Sequence, residues 1–229
     1  MFEKFANKKL GPVATNQVKE FSSKVYLWMT LMLLLTTGFA LGSHNLCIDR
    51  WFFAHRHWFF LFLFVEVVLI ATFTFLRKKL SFVKGVVLVG AYTVLNGLTL
   101  STLFIEHNFS SMIVALSVSA AVFGMATIYG FFGKDMIRFG HWLFIGLIGL
   151  LIAMIANVLI ASTVMGYVIS AIAVVVFTVL AAYDAQMVTI TAISSPSNIS
   201  ALDCALKLYL DFLNIFLHVL RLFGIKVKD

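Results

Sequence analysis

The sequence predicts an all-α integral membrane protein, and three observations lead to that fold class. First, 62% of the 229 residues are hydrophobic and 12% are charged, which is about half the charged fraction of soluble domains. Second, the mean hydropathy is +1.02. Third, the apolar residues are gathered into seven runs, each close to the ~20 residues that a helix needs to cross a bilayer.

The seven runs define the predicted transmembrane helices. They are Val25–Leu41, Trp58–Leu76, Phe82–Ile105, Met112–Phe132, Trp142–Ala161, Gly166–Val188 and Leu202–Phe223. They lack the period-2 alternation that a transmembrane strand requires. We therefore predict a cytoplasmic N-terminal segment at 1–24, a seven-helix membrane domain at 25–224 and a short basic tail at 225–229. Pro196 and its neighbouring serines predict the loop before the last helix.

The distribution of Lys and Arg predicts the orientation and argues against nucleic acid as a partner. The net charge is +7, but the basic residues cluster at the ends of the apolar runs, as membrane topology requires. With the N-terminus in the cytoplasm, twelve of the 17 basic residues lie on the cytoplasmic side and five outside. We therefore expect a multi-pass protein of the lipid bilayer with a cytoplasmic N-terminus.

The last run carries a stripe of five polar residues. At about 100° per residue they fall within an arc of roughly 80°; they are Lys207, Asp211, Asn214, His218 and Arg221. Inside a bilayer such a stripe must face other helices or a water-filled cavity. The alternative is a helix lying flat on the membrane, but such helices usually have a broader and more basic polar face.

Other ionisable residues within the runs are candidate partners for this stripe. Glu66 lies near the middle of the second run, and Arg77 follows three helical turns later on the same face. Asp184 lies in the sixth run, in "AAYDAQ". With the N-terminus inside, Arg77, Asp184 and Asp211 can converge. Two carboxylates in a low dielectric repel when both ionise and share a hydrogen bond when one is protonated. The alternative is an ion cluster that only locks helices together.

These residues also carry a resemblance to a known family. "AAYDAQ" followed by "LYLDFLNIFLHVLRLFG", with "VEVVLIATFTFLRKK" in the second helix, resembles the transmembrane Bax-inhibitor-motif family in its bacterial branch. The resemblance covers nearly the whole chain. It implies seven helices, with two three-helix layers around a central seventh helix, and an inner (plasma) membrane protein of bacteria.

The resemblance further implies a pH-sensitive calcium leak. Asp184 and Asp211 match the two aspartates that share a proton as the pH sensor, and Arg77 matches the arginine that engages the first of them and latches the closed state. Glu66 matches an acid near the ion route, and we assign Asn214, His218 and Arg221 to that route as well. Calcium enters as the transported ion, with Asp184 and Asp211 as its expected ligands, and no resident cofactor is expected. His218 departs from the family pattern, where we expect an uncharged residue.

Two other site types were weighed. Paired aspartates also occur in intramembrane aspartyl proteases, but Asp211 lies in "LYLD" and the motifs typical of those enzymes are missing, so we do not expect an enzyme. The segment "SHNLCIDRWFFAHRHW" holds His44, Cys47, His55 and His57 at a spacing that matches no recognised metal site. We interpret it as an interfacial loop anchored by aromatic residues.

The sequence thus leaves two interpretations of function. The first is a pH-sensitive calcium or cation leak. The second is a non-conducting regulatory protein that binds other membrane proteins, such as a protease or a stress or cell-death factor, since the family is also linked to suppression of cell death and membrane stress. The depth of Glu66, Asp184 and Asp211 favours conduction, because an adaptor has no need of acids within the bilayer.

Overall fold

The computed structural model describes residues 12–132 and 136–224, and all regular secondary structure in these two ranges is helical. The predicted fold class is therefore confirmed. The helices are α1 Pro12–Asn45, α2 Ile48–Ala54, α3 Arg56–Leu76, α4 Phe82–Leu100, α5 Leu103–Glu106, α6 Phe109–Phe132, α7 Gly140–Ile160, α8 Thr163–Ser194 and α9 Asn198–Phe223, with a 3₁₀ turn at Ile137–Phe139. The predicted basic tail, 225–229, lies outside the described residues.

Seven of the helices in the described ranges have 19 residues or more, and each contains one of the predicted runs or most of it. Six of them are long and apolar enough to cross a membrane. The span that begins with α4 continues through α5, and the span that contains α7 begins at the 3₁₀ turn. The seventh, α9, is 26 residues long but carries Asp203, Lys207, Asp211 and Arg221. Its surroundings therefore decide whether those charges can be tolerated.

Helix α1 begins much earlier than the run at Val25 predicted. Its first half is amphipathic, because Val18, Phe21 and Val25 recur at helical spacing and are 1%, 5% and 0% exposed. Pro12 suits the first position of a helix, where its missing N–H is not needed. Half of the predicted N-terminal segment is therefore helical and packed.

The helices form two compact units. The first comprises α1 to α5, the end of α8 and the start of α9 up to Leu206. In it, α4 packs against both α1 and α3. Gly97 allows the approach to α1, because a Cβ there would lie 2.7 Å from the carbonyl oxygen of Thr36 and 2.8 Å from Cβ of Phe39.

The second unit comprises α6, α7, most of α8, and α9 from Lys207 onwards. The rings of Phe123 of α6 and Phe212 of α9 pack edge to face, with their centroids 5.5 Å apart. Helix α7 contributes little to the interior, since of its residues only Leu150 is buried, while Val158 and Leu159 are 80% and 84% exposed. Such an exposed apolar face is suited to lipid.

The loop predicted around Pro196 is present, and serines close it. Helix α8 ends at Ser194 and α9 begins at Asn198. The Ser197 hydroxyl oxygen accepts the backbone N–H of Ser200 at 3.1 Å, which satisfies one of the unpaired donors at the start of α9. This short connection places the two aspartate-bearing helices next to each other in sequence.

Candidate functional site

Helix α9 explains how the polar stripe is accommodated. Between residues 201 and 220 no position is exposed, so this stretch presents neither its polar nor its apolar side to lipid. Asp211 is 5% exposed, and Lys207, Asn214 and His218 are half-buried. Arg221 lies in the last helical turn and is exposed, where a positive charge suits the helix dipole.

The two aspartates of the predicted pair lie together in the second unit. The side chains of Asp211 on α9 and Asp184 on α8 lie within hydrogen-bonding reach of each other. Asp184 is half-buried, and Asp211 is almost completely buried. Atom Oδ2 of Asp211 is enclosed and has no hydrogen-bonding partner among the described residues. One carboxylate cannot donate to another, so a hydrogen bond between these side chains forms only while a proton lies between them.

This geometry permits one simple chemical event, the gain or loss of a shared proton. While the proton is present, the pair carries a single negative charge and holds α8 to α9. When it leaves, two negative charges stand side by side in a poorly solvated site. Separation of the helices or entry of a cation then lowers the energy.

Arg77 is paired differently from the prediction. Its guanidinium Nη1 donates to Oδ2 of Asp203 in the first unit, and the predicted partner was Asp184. The side chains are 33% and 11% exposed. Arg77 directly follows the last residue of α3, and Asp203 lies in the second turn of α9, so the pair joins two helix ends. An arginine at the end of one helix can form an ion pair with an acidic residue near the adjacent end of a neighbouring helix.

Asp203 is the functional candidate that the sequence analysis missed. It lies four residues before Lys207 and eight before Asp211, which places all three on one face of α9. The spacing therefore contained the signal. It was overlooked because Asp203 stands at the edge of the apolar run, where a charge needs no special explanation.

Glu66 has both carboxylate oxygens satisfied by α4. Asn96 Nδ2 donates to Oε2 at 3.1 Å, and the Thr99 hydroxyl donates to Oε1 at 2.8 Å. These two hydrogen bonds join α3 to α4. Glu66 is 5% exposed, so this carboxyl group is held between α3 and α4.

The remaining stripe residues have separate partners. The Asn214 amide donates to the backbone oxygen of Leu210 in its own helix at 2.8 Å. His218 Nδ1 lies 3.2 Å from the Ser170 hydroxyl oxygen. Its ring stacks on the ring of Phe177, with the two centroids 6.2 Å apart. The Arg221 guanidinium occupies a notch at Gly166, where any Cβ would collide with it.

The histidine-rich segment is built around aromatic and ionic contacts. His44 Nδ1 lies 2.6 Å from Oδ2 of the fully buried Asp49, and its ring stacks on Phe104. Trp51 contacts the rings of His55 and Trp58. Among the described residues, no group of three or more His, Cys, Asp or Glu side chains is arranged to hold a metal ion.

The helices and the aspartate pair define a multi-pass α-helical membrane protein with two neighbouring carboxyl groups, one buried and one half-buried. The profile of the family described as "Inhibitor of apoptosis-promoting Bax1" matches residues 18–228. The chain therefore belongs to the Bax inhibitor family.

Bacterial relatives match along most of their length. The "Inner membrane protein YbhL" of Escherichia coli strain K12 is 33% identical over 216 residues, covering 90% of this chain and 92% of the relative. An uncharacterized protein of Deinococcus radiodurans is 34% identical over 214 residues, with 90% and 91% coverage. An uncharacterized protein of Borreliella burgdorferi is 30% identical over 217 residues, with 92% and 94% coverage.

Proposed function

We propose that this protein is a pH-sensitive cation leak of the bacterial inner membrane, with calcium as the ion it conducts. The observation that carries the proposal is that Asp184 and Asp211 lie within hydrogen-bonding reach of each other. A membrane helix rarely carries an acid at depth unless the acid functions there or is paired. These two acids are paired with each other, and two carboxyl groups attract only while they hold a proton.

In this proposal the proton-bound pair is the closed state. Below the pH at which the shared proton leaves, the pair is bonded and the leak is low. Above that pH, mutual repulsion of Asp184 and Asp211 loosens the contact of α8 with α9 and favours a cation beside them. Cation flux is therefore expected to rise as the pH rises through the titration of the pair.

Calcium fits this pair as a passing ion rather than a resident one. Bound calcium takes 6–8 oxygen ligands in proteins, and two carboxylates supply only part of that shell. An ion that keeps most of its water and meets two charged groups for a short time can also leave again, which conduction requires. Asn214, His218 and Arg221 lie in the same unit as this pair and are proposed to line the route of the ion, while Glu66 lies in the first unit.

Arg77 is still proposed to act as the latch of the closed state. It does so through its ion pair with Asp203 and not through Asp184. The ion pair fastens the end of α3 to the second turn of α9. Asp211 lies eight residues further along the same helix, so the proposal is that fixing the start of α9 favours the closed aspartate pair. Loss of the ion pair allows α9 to move and makes the closed state less favourable.

The N-terminus is proposed to lie in the cytoplasm, since this places most of the basic residues inside. Inner-membrane location follows the name of the Escherichia coli relative. The orientation is independent of conduction and is tested by the labelling of Cys47 described in the Discussion.

The deciding experiment measures calcium release from liposomes containing the purified protein, at a series of pH values. A pH-dependent release that protein-free liposomes lack supports the leak. Absence of release at every pH, from protein shown to be folded, contradicts it and favours the non-conducting regulatory protein.

A further inference from the structure

The guanidinium of Arg221 lies against the first turn of α8. A Cβ added at Gly166 would collide with Nη2 of this group and would stand 3.0 Å from its Cζ. Gly166 is buried, although α8 begins only three residues earlier, at Thr163. The absent side chain of Gly166 therefore leaves the notch in which the guanidinium rests. Both residues belong to the second unit, so this contact lies within one compact body.

The surroundings of the guanidinium leave its hydrogen-bond donors unused. Among the described residues, Arg221 makes no hydrogen bond and no ion pair. The ionisable side chain that acts on it electrostatically is His218, one helical turn earlier on α9, and this group is also basic. The C-terminal end of α9 favours a positive charge, but the guanidinium rests on the first turn of α8, where the helix dipole opposes one. A negative group beside Arg221 would therefore be stabilised.

A second donor group faces the same notch. The amide of Asn157 on α7 places its Nδ2 3.3 Å from the Cβ position at Gly166, and its Oδ1 is buried with no partner among the described residues. A guanidinium has five N–H donors and no acceptor. Turning the amide over, so that its oxygen accepts one of them, would leave four. The notch therefore gathers more donors than its protein surroundings satisfy, as expected where a phosphate or carboxylate binds.

These residues also lie where the headgroups of a bilayer are expected. Asn157 is in the last turn of α7, Gly166 in the first turn of α8 and Arg221 in the last turn of α9. Three helix ends of one unit meet here, and a spanning helix ends near the membrane surface. The residues beside the notch on α7 and α8 are apolar and 80%, 84% and 74% exposed: Val158, Leu159 and Val164. Such a rim is suited to lipid chains.

We propose that Arg221 and Asn157, at the notch of Gly166, bind the phosphate group of a membrane phospholipid. The guanidinium offers parallel N–H donors that match two phosphate oxygens, a geometry for which arginine is favoured. The lipid chains lie along the exposed apolar ends of α7 and α8. A bound phosphate also offsets a positive charge beside the proposed route of calcium, but the binding does not depend on that route.

The test is solid-state NMR of the full-length protein in phosphatidylglycerol bilayers prepared without phosphate buffer. Arginine is labelled with ¹³C at the guanidinium carbon, and the dephasing of each signal by lipid ³¹P reports how close that carbon lies to a phosphate. The Arg221 signal is identified by its loss in Arg221→Lys. We expect strong dephasing of this signal, corresponding to a distance of about 4 Å between Cζ and phosphorus in a hydrogen-bonded pair.

Two variants test whether the notch holds the phosphate. Gly166→Ala pushes the guanidinium out of the notch and should keep the fold, because the atom it meets is the tip of a flexible side chain. Asn157→Leu removes the second donor at nearly the same volume. Each should reduce the Arg221 dephasing by about half or more, since each removes a donor from the phosphate. Gly149→Ala is the control, because an added Cβ there meets nothing within 4 Å.

Three results would overturn the proposal. Absence of Arg221 dephasing in wild type would show that no phosphate lies at the site. Equal dephasing in wild type, Gly166→Ala and Asn157→Leu would show an adventitious contact of an exposed arginine with headgroups. Dephasing that appears only after inorganic phosphate is added would assign the site to a soluble anion instead of a lipid.

Discussion

The ion pair between Arg77 and Asp203 leads to an asymmetric prediction for stability. Asp203 is 11% exposed and Arg77 is 33% exposed, so the two residues lose different amounts when the partner is removed. Arg77→Gln leaves a carboxylate that water hardly reaches. Removing one member of a fully buried pair costs about 3–5 kcal/mol, and the partial exposure here lowers that to about 2–3 kcal/mol.

The reciprocal change should cost less. In Asp203→Asn the guanidinium can still donate to the amide oxygen, and one third of Arg77 already meets solvent. A loss of about 1 kcal/mol is expected, in the range of a single hydrogen bond. The double variant removes the buried charge of Asp203 as well, so it should be more stable than Arg77→Gln alone, with a coupling energy of about 1–2 kcal/mol.

The measurement is the free energy of unfolding from denaturant titration in detergent micelles, for the two single variants and the double. Lys24→Gln is the control, because the Lys24–Glu20 pair is exposed at 49% and 73% and exposed pairs contribute little. Equal losses from the two single variants that add in the double would refute the reasoning, since they would show that the charges do not depend on each other.

The remaining predictions concern orientation, the latch and Glu66. In a Cys204→Ser background, the exposed Cys47 should react with an impermeant thiol reagent added outside intact cells. Reaction only after permeabilisation would contradict the cytoplasmic position of the N-terminus. Arg77→Ala and Asp203→Asn should both raise calcium release at neutral pH because each opens the same latch; unchanged release from folded protein would remove the latch. Glu66→Ala should lower stability by about 1–2 kcal/mol, since it removes two hydrogen bonds that join α3 to α4. Glu66→Gln keeps a polar group at this position and should restore most of the loss; equal losses by denaturant titration would show that these hydrogen bonds do not matter.

Much of the fold was predictable because hydropathy and helix length are local properties. The end of α3 at Leu76 and the loop at Pro196 agree with the predictions. The early start of α1 was missed because residues 12–24 are polar overall, although the spacing of Val18, Phe21 and Val25 indicated one buried face. Helix α2 was missed because seven residues between two spans give too short a pattern to separate from a loop.

The candidate site was predictable only where its geometry depends on adjacent elements. Asp184 and Asp211 lie on consecutive helices joined by a short loop, so their proximity followed from chain order and helix period. The pairing of Arg77 depends on which end of α9 meets α3, a tertiary property that spacing within one helix does not give.

The proposed leak depends on a proton shared by Asp184 and Asp211, and one measurement tests that dependence most directly. Calcium release from liposomes is recorded against pH for wild type, Asp184→Asn, Asp211→Asn and the double variant. Asparagine keeps the size and a hydrogen bond but cannot titrate, so either single change should flatten the pH dependence. The double variant should add little further, because either change alone breaks the shared unit. If both single variants keep the wild-type pH profile, the pair is structural and the proton-controlled leak is contradicted.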